Sequence, residues 1–264
     1  MAERLPMAPP DRGEGDPLEG ARAILAGGLI WSAYEPFIDL KSGQVMGYEA
    51  LARFTRPDGV AVSPGTLFAL LHTDPALLFE VELAVKRHQL AHAPDHGELF
   101  VNLDPDSWAG GEDEEGGNPL IELLGSVTRP LVVEVIENLD VSDAIMSRGM
   151  IAAARAKGLR IALDDVGAAN SLLSLEALDE ADVLKFDRTL LRALGRPRRR
   201  AVVQALARMA RETGGRSILE GVETVADLLL AQELGVDWVQ GWFFEEQIIR
   251  SPRPAIVPPA VAGR

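Results

Sequence analysis

The sequence contains no cysteine, which excludes disulfides, thiolate metal sites and cysteine nucleophiles and suits a reducing cytoplasm, the location expected for it. Histidine is scarce too: three of the four, His88, His92 and His96, lie four residues apart in a segment interrupted by Pro94. Solvated imidazoles at a helix end account for that spacing, and Ser/His/Asp catalysis finds no support. No apolar run approaches the roughly 18 residues needed to cross a bilayer, so no membrane partner is expected. Positive charge is also in deficit, with 26 Lys and Arg against 40 Asp and Glu and a net charge of −14. Nucleic-acid binders show the opposite balance, a basic face that releases counterions. The one dense basic stretch, "GRPRRR" at 195–200, reads as a solvated helix start. An anionic ligand would need cations supplied locally.

What is present is 264 residues with 47% hydrophobic content, enough for one large core. The reading divides the chain into a flexible leader over 1–20, a folded domain over 21–250 and a Pro-rich tail over 251–264. The acidic segment "GGEDEEGGNP", 110–119, reads as an exposed loop. Within the domain, eight strand-like runs, "LIWSAYEPFIDL", "VMGYEALARF", "ELFVNLD", "LVVEVIEN", "RIALDDV", "VLKFD", "SILEGVE" and "DWVQGWFF", alternate with segments of helical periodicity. Such alternation implies a parallel sheet covered on both faces. The first two runs are joined only by "KSG", too short for a helical crossover, so they should form an antiparallel hairpin. The expected fold is α/β: a TIM-like (β/α)8 barrel with an irregular start, its first strand antiparallel to the others.

Nearly every run ends in a polar residue: Glu49, Asn102, Glu134, Asp164 with Asp165, Lys185, Glu220 and Gln240. In a β/α barrel the C-terminal strand ends converge on one face. Carboxylates gathered there would repel one another unless they held protons or a cation. Oxygen donors without sulfur favour a hard ion such as Mg²⁺ or Mn²⁺. The adjacent Asp164 and Asp165 could serve two ions at once, and two metals suit phosphoester hydrolysis. Each residue also has a local explanation. Glu49 and Arg53 could be a simple ion pair, Asn102 a turn residue, Asp164 and Asp165 a helix cap, and Lys185 a partner for Asp187; together these would all have to hold on one face.

From about residue 28 to 247 the chain resembles the EAL-domain family of cyclic di-GMP phosphodiesterases. "YEALARF" is similar to its signature, and "VNLD", "VEVIEN", "ALDDVG", "LKFD", "LEGVET" and "VQGWFF" follow in the family's order. The resemblance implies hydrolysis of cyclic di-GMP to linear pGpG by in-line attack of a metal-activated water, in bacterial second-messenger signalling, with two Mg²⁺ or Mn²⁺ per site. It implies that Glu49, Asn102, Glu134 and Asp164 hold one metal, that Asp165 holds the second with Asp164 shared, and that Glu220 approaches the second metal or its water. Lys185 would orient the water and Gln240 would assist it. Arg53 would contact a substrate phosphate, with Leu51 and Glu35 beside the substrate.

The chain departs from the family pattern in three places. "DDVGAANSL" stands where a DDFGTGYSS-like loop is usual, keeping Gly167 and Ser171, a loop that the second Glu of "VEVIEN", Glu137, would steady. Glu35 replaces the usual Gln, and "QGWFFEEQI" lacks the usual Gly-Arg-Pro-like continuation. These departures leave open a second reading, a catalytically weak or inactive module that binds cyclic di-GMP or a protein partner. A homodimer and a separate sensor or regulator protein are the further partners considered.

Overall fold

The computed structural model describes residues 16, 18–111, 117–136, 141–168, 173–193 and 196–255. Its strands are β1 (Ile30–Asp39), β2 (Val45–Thr55), β3 (Ala61–Val62), β4 (Glu98–Asn102), β5 (Leu131–Ile136), β6 (Arg160–Val166), β7 (Val183–Phe186), β8 (Arg216–Leu219), β9 (Trp238–Val239) and β10 (Ile249–Arg250). The helices are α1 (Glu19–Ala26), α2 (Pro64–Leu71), α3 (Pro75–Ala91), α4 (Pro105–Gly110), α5 (Pro119–Gly125), α6 (Val141–Ala156), α7 (Leu175–Glu180), α8 (Thr189–Ala193), α9 (Pro197–Glu212) and α10 (Val225–Leu234). A 3-10 turn follows at Trp242–Gln247.

β2, β4, β5, β6, β7, β8 and β9 pair in parallel, and β1 closes the ring by running antiparallel to both β2 and β9. This is the expected barrel with an inverted first strand. The inversion follows from the hairpin, whose turn is tied by Asp39 Oδ1 accepting from the Ser42 amide at 2.7 Å and the Lys41 amide at 3.0 Å. Two short strands were not anticipated: β3 extends β2, and β10 adds to β1.

Several helices start where proline fixes the first turn, with Pro64, Pro75, Pro105, Pro119 and Pro197 in their opening positions. The chain between β3 and β4 divides into two helices, α2 and α3, because Asp74 caps α3 by accepting from the Leu77 amide at 3.1 Å. α1 opens at Glu19, within the segment read as a leader, and buries Ala21 and Ile24. At the other boundary, Ser251 is buried and bonds both ways to Ser32: its Oγ accepts from the Ser32 amide and its own amide donates to the Ser32 carbonyl, both at 2.9 Å. His88, read as solvated, instead meets Ser251 Oγ at 2.9 Å. His96 meets the Tyr48 hydroxyl at 3.0 Å. Among the described residues, no helix is long and apolar enough to cross a membrane.

The strand period of two sorts the side chains into layers. Val101, Val133, Leu163, Leu184, Leu219 and Val239 point outward under the helices. Phe37, Phe100, Val132, Ala162, Val183, Ile218 and Trp238 point inward and plug the barrel, with the Phe37 and Phe100 rings 4.5 Å apart. Two residues further along each parallel strand, the next inward position begins the polar face.

Candidate active site

That next inward layer contains Asn102, Glu134, Asp164, Lys185, Glu220 and Gln240, each two residues beyond its plug residue. Glu49 joins them from β2. Because β1 runs the other way, its member is Glu35, two residues before Phe37 and directly opposite Glu49 in the ladder. One layer of the barrel therefore gathers these residues from eight strands.

Lys185, 0% exposed, lies among four carboxylates: 2.7 Å from Glu134, 2.8 Å from Glu220, 3.0 Å from Asp164 and 3.7 Å from Glu49. Glu49 is held further by Gln240 Nε2 at 2.6 Å and Asn102 Nδ2 at 3.1 Å. Burial pushes the Glu134 carboxyl well above the usual range, and Glu49 reinforces the shift. Burial likewise raises Glu220 to about 8, against the pull of Lys185. For Glu49, burial is outweighed by Lys185 and the two amide bonds, which hold its pKa down. The lysine shows the converse, its pKa raised well above normal because the surrounding carboxylates, Asp164 foremost, overcome its burial.

Asp165 reaches the same region by a backbone exception. Successive strand residues point to opposite faces, yet Asp164 and Asp165 both face the site. Asp165 has φ of +54°, a left-handed conformation costly for most L-residues, and the pairing of β6 with β7 shifts register between Leu163 and Val166. Burial and the neighbouring Asp164 raise its pKa.

One ammonium cannot neutralise this set, and both Glu134 oxygens and Asp164 Oδ1 are buried without a hydrogen bond of good geometry. The donors fit divalent cations. Glu49, Glu134 and Asp164 bring ligand oxygens within 4.8 Å of one another, as do Asp164, Asp165 and Glu220. Asp164 belongs to both groups. Asn102 stands beside the first through its bond to Glu49.

Other expected residues occupy the rim. Arg53 and Leu51, further along β2, line a cavity of about 550 Å³ that reaches down to Asn102 and Glu134. Glu35 does not line it; it lies 3.7 Å from Arg53 and 3.3 Å from Gln240, with its pKa raised by burial and then by Glu49. Gly167 turns the chain after β6 with φ of +88°, where a Cβ would meet Leu190 at 2.9 Å. Glu137 and Ser171 lie outside the described residues, as does the altered stretch at Ala169 and Asn170. Sequence reading missed Glu82 and Lys86, a buried pair at 2.8 Å that lines the same cavity. Their i, i+4 spacing on a helix face that also buries Leu78, Val81 and Val85 was the available clue.

Gln240 is aimed by the residue after it. Gly241 has φ of +154°, and a Cβ there would lie 2.3 Å from the Val222 carbonyl oxygen and 2.4 Å from its nitrogen. Both backbone atoms are engaged: the Val222 amide donates to the Gln240 carbonyl and the Val222 carbonyl accepts from the Phe243 amide, each at 3.0 Å. Gly241→Ala is expected to lower unfolding stability by about 2–3 kcal/mol, readable by urea denaturation; an unchanged midpoint would mean that the turn relaxes freely.

A sequence profile described as the EAL domain matches residues 21–247. The cyclic di-GMP phosphodiesterase PA2567 of Pseudomonas aeruginosa is 28% identical over 223 residues, covering 82% of this chain and 38% of that protein. The chain spans about a third of the length of the curated relatives it matches. Among solved structures, the PaMucR phosphodiesterase in complex with c-di-GMP has a TM-score of 0.70 at 25% identity, over 90% of this chain and 97% of that one. BlrP1 of Klebsiella pneumoniae, in a complex with manganese and cyclic di-GMP, has a TM-score of 0.67 at 26% identity, over 86% of this chain and 57% of that one. With the profile covering most of the sequence and the barrel fold shared with these structures, the chain belongs to the EAL domain family.

Proposed function

We propose that the chain is a metal-dependent phosphodiesterase that hydrolyses cyclic di-GMP to linear pGpG. The observation that carries this reading is the pair of carboxylate groups sharing Asp164. Glu49, Glu134 and Asp164, with Asn102, would hold one divalent ion, and Asp164, Asp165 and Glu220 the other. When bound, two such ions lower the pKa of a water and stabilise both the attacking and the leaving oxygen of an in-line displacement. The chain's own residues do the rest. Arg53, lining the cavity, offers a guanidinium to a phosphate. Lys185 supplies a fixed ammonium where negative charge develops. Gln240 and Asn102 fix the Glu49 carboxylate from two sides.

The Arg53–Glu35 pair, at 3.7 Å, supports a second reading. A guanidinium already facing a carboxylate gives less stabilisation to the charge that develops on a reacting phosphate, which suits a module that binds the dinucleotide with little or no turnover. Incubating the purified protein with cyclic di-GMP and Mn²⁺, and separating the nucleotides by chromatography, decides between the two. Formation of pGpG, stopped by excess chelator and depressed by Ca²⁺ with its longer, looser coordination, is the expected result. Bound but intact cyclic di-GMP would establish the binding module instead.

A further inference from the structure

A second cluster of metal-ligating side chains lies at the mouth of the same cavity, away from the carboxylate layer. His72, at the C-terminal end of α2, has Nδ1 2.7 Å from the Phe68 carbonyl oxygen. That oxygen can only accept, so Nδ1 carries a proton and Nε2 is turned toward two carboxylates, where either a proton or a metal ion joins them. Nε2 lies 3.0 Å from Asp104 Oδ2 and 3.5 Å from Asp106 Oδ2. The other Asp104 oxygen is engaged by the backbone amides of Asp106 and Ser107 at 2.9 and 3.2 Å, which fixes the carboxylate.

We infer that His72, Asp104 and Asp106 form a separate binding site for a borderline transition-metal ion of the Zn²⁺ class. Three considerations carry it. The ligand atoms of all three residues lie within 4.8 Å of one another. Donors about 2.0–2.1 Å from a tetrahedral zinc stand about 3.3 Å apart, and the two imidazole–carboxylate separations, 3.0 and 3.5 Å, bracket that value. The imidazole is already oriented by a carbonyl and one carboxylate by backbone amides, the outer support that metal ligands require. An imidazole with two carboxylates also selects differently from the all-oxygen barrel layer, which suits harder ions. His72 and Asp106 are partly open to solvent, with side chains 38% and 48% exposed, leaving a path of entry and a position for water.

A bound ion would also cancel the two negative charges that Asp104 and Asp106 place at the cavity mouth, easing entry of an anionic ligand. That consequence rests on the proposed function; the site itself does not.

The test uses the full chain, stripped with chelator and then titrated with Zn²⁺, while the four imidazoles are followed by nitrogen-15 NMR. The His72 Nε2 resonance should move and saturate as a single site, while His88, His92 and His96 stay in place. The barrel layer has no histidine, so failure of the phosphodiesterase reading would leave this signal untouched. In equilibrium dialysis, His72→Ala should hold one Zn²⁺ fewer than wild type, and Asp106→Asn, an exposed and structurally mild change, should weaken that site at least about tenfold. Circular dichroism of both variants checks that the fold is intact. A stationary His72 resonance, or equal zinc content in wild type and the folded His72→Ala protein, would overturn the site and leave an imidazolium paired with two carboxylates.

Discussion

Lys185→Met is expected to cost the metal-free protein roughly 3–5 kcal/mol of folding stability, and to cost much less when Mn²⁺ is present. The reasoning is electrostatic. The lysine lies within 4 Å of four carboxylates, with 0% of its side chain exposed. Removing it leaves negative charge in a site that water reaches poorly. Protons can replace part of that counter-charge, because Glu134 is raised well above its usual range and Glu220 to about 8 even with the lysine present. A carboxyl whose folded pKa lies above its unfolded one stabilises the fold at low pH and loses that contribution as pH rises. The defect should therefore deepen between pH 6 and 9. Divalent cations offer the other replacement, and they should close most of the gap. Turnover should fall by about 10²-fold or more, with dinucleotide binding retained. Urea denaturation in chelator and in Mn²⁺, at both pH values, reads the stability arm; equal losses in all conditions would assign Lys185 a packing role.

How much of this was legible in the sequence follows from what sets each feature. The inward layer was legible because strand alternation is local: once "LVVEVIEN" is a strand ending at the barrel mouth, Val132 and Glu134 must share a face. The inverted first strand was legible from the shortness of "KSG". The encirclement of Lys185 was not. It depends on how closely β2, β5, β6 and β8 approach across the barrel, and chain spacing does not encode that distance. Nor was the left-handed Asp165, since an Asp-Asp pair at a strand end is compatible with ordinary alternation, and only the register shift against β7 shows which way the second carboxylate turns. β10 and the docking of Ser251 escaped for a similar reason. β10 holds only Ile249 and Arg250, too few residues to show a period, and Pro252 follows Ser251; their order comes from backbone groups at the edge of β1. His72 was invisible because its partners, Asp104 and Asp106, lie more than thirty positions away along the chain.

Glu134→Gln should produce the opposite stability effect from Lys185→Met while also removing activity. Glutamine keeps the shape of the side chain and discards its charge. Fully ionised, the four carboxylates around Lys185 exceed its single positive charge by three, and Glu134, 1% exposed, carries the most unfavourable burial among them. Neutralising it lowers the excess to two. The lysine is not orphaned, because Glu220 at 2.8 Å, Asp164 at 3.0 Å and Glu49 at 3.7 Å remain. The metal-free protein should therefore gain about 1–3 kcal/mol, the range seen when costly buried charge is relieved. The same change removes a donor from the group formed with Glu49 and Asp164. Loss of an outer support typically lowers metal affinity or activity 10–100-fold, and loss of a ligand itself should cost at least that much in Mn²⁺ affinity and in pGpG formation. Stability measured in chelator, together with a Mn²⁺ titration of turnover, tests both halves. A destabilised variant would show that the 2.7 Å contact to Lys185 outweighs the repulsion. A stabilised variant with wild-type metal dependence would place the first ion on Glu49, Asn102 and Asp164 alone.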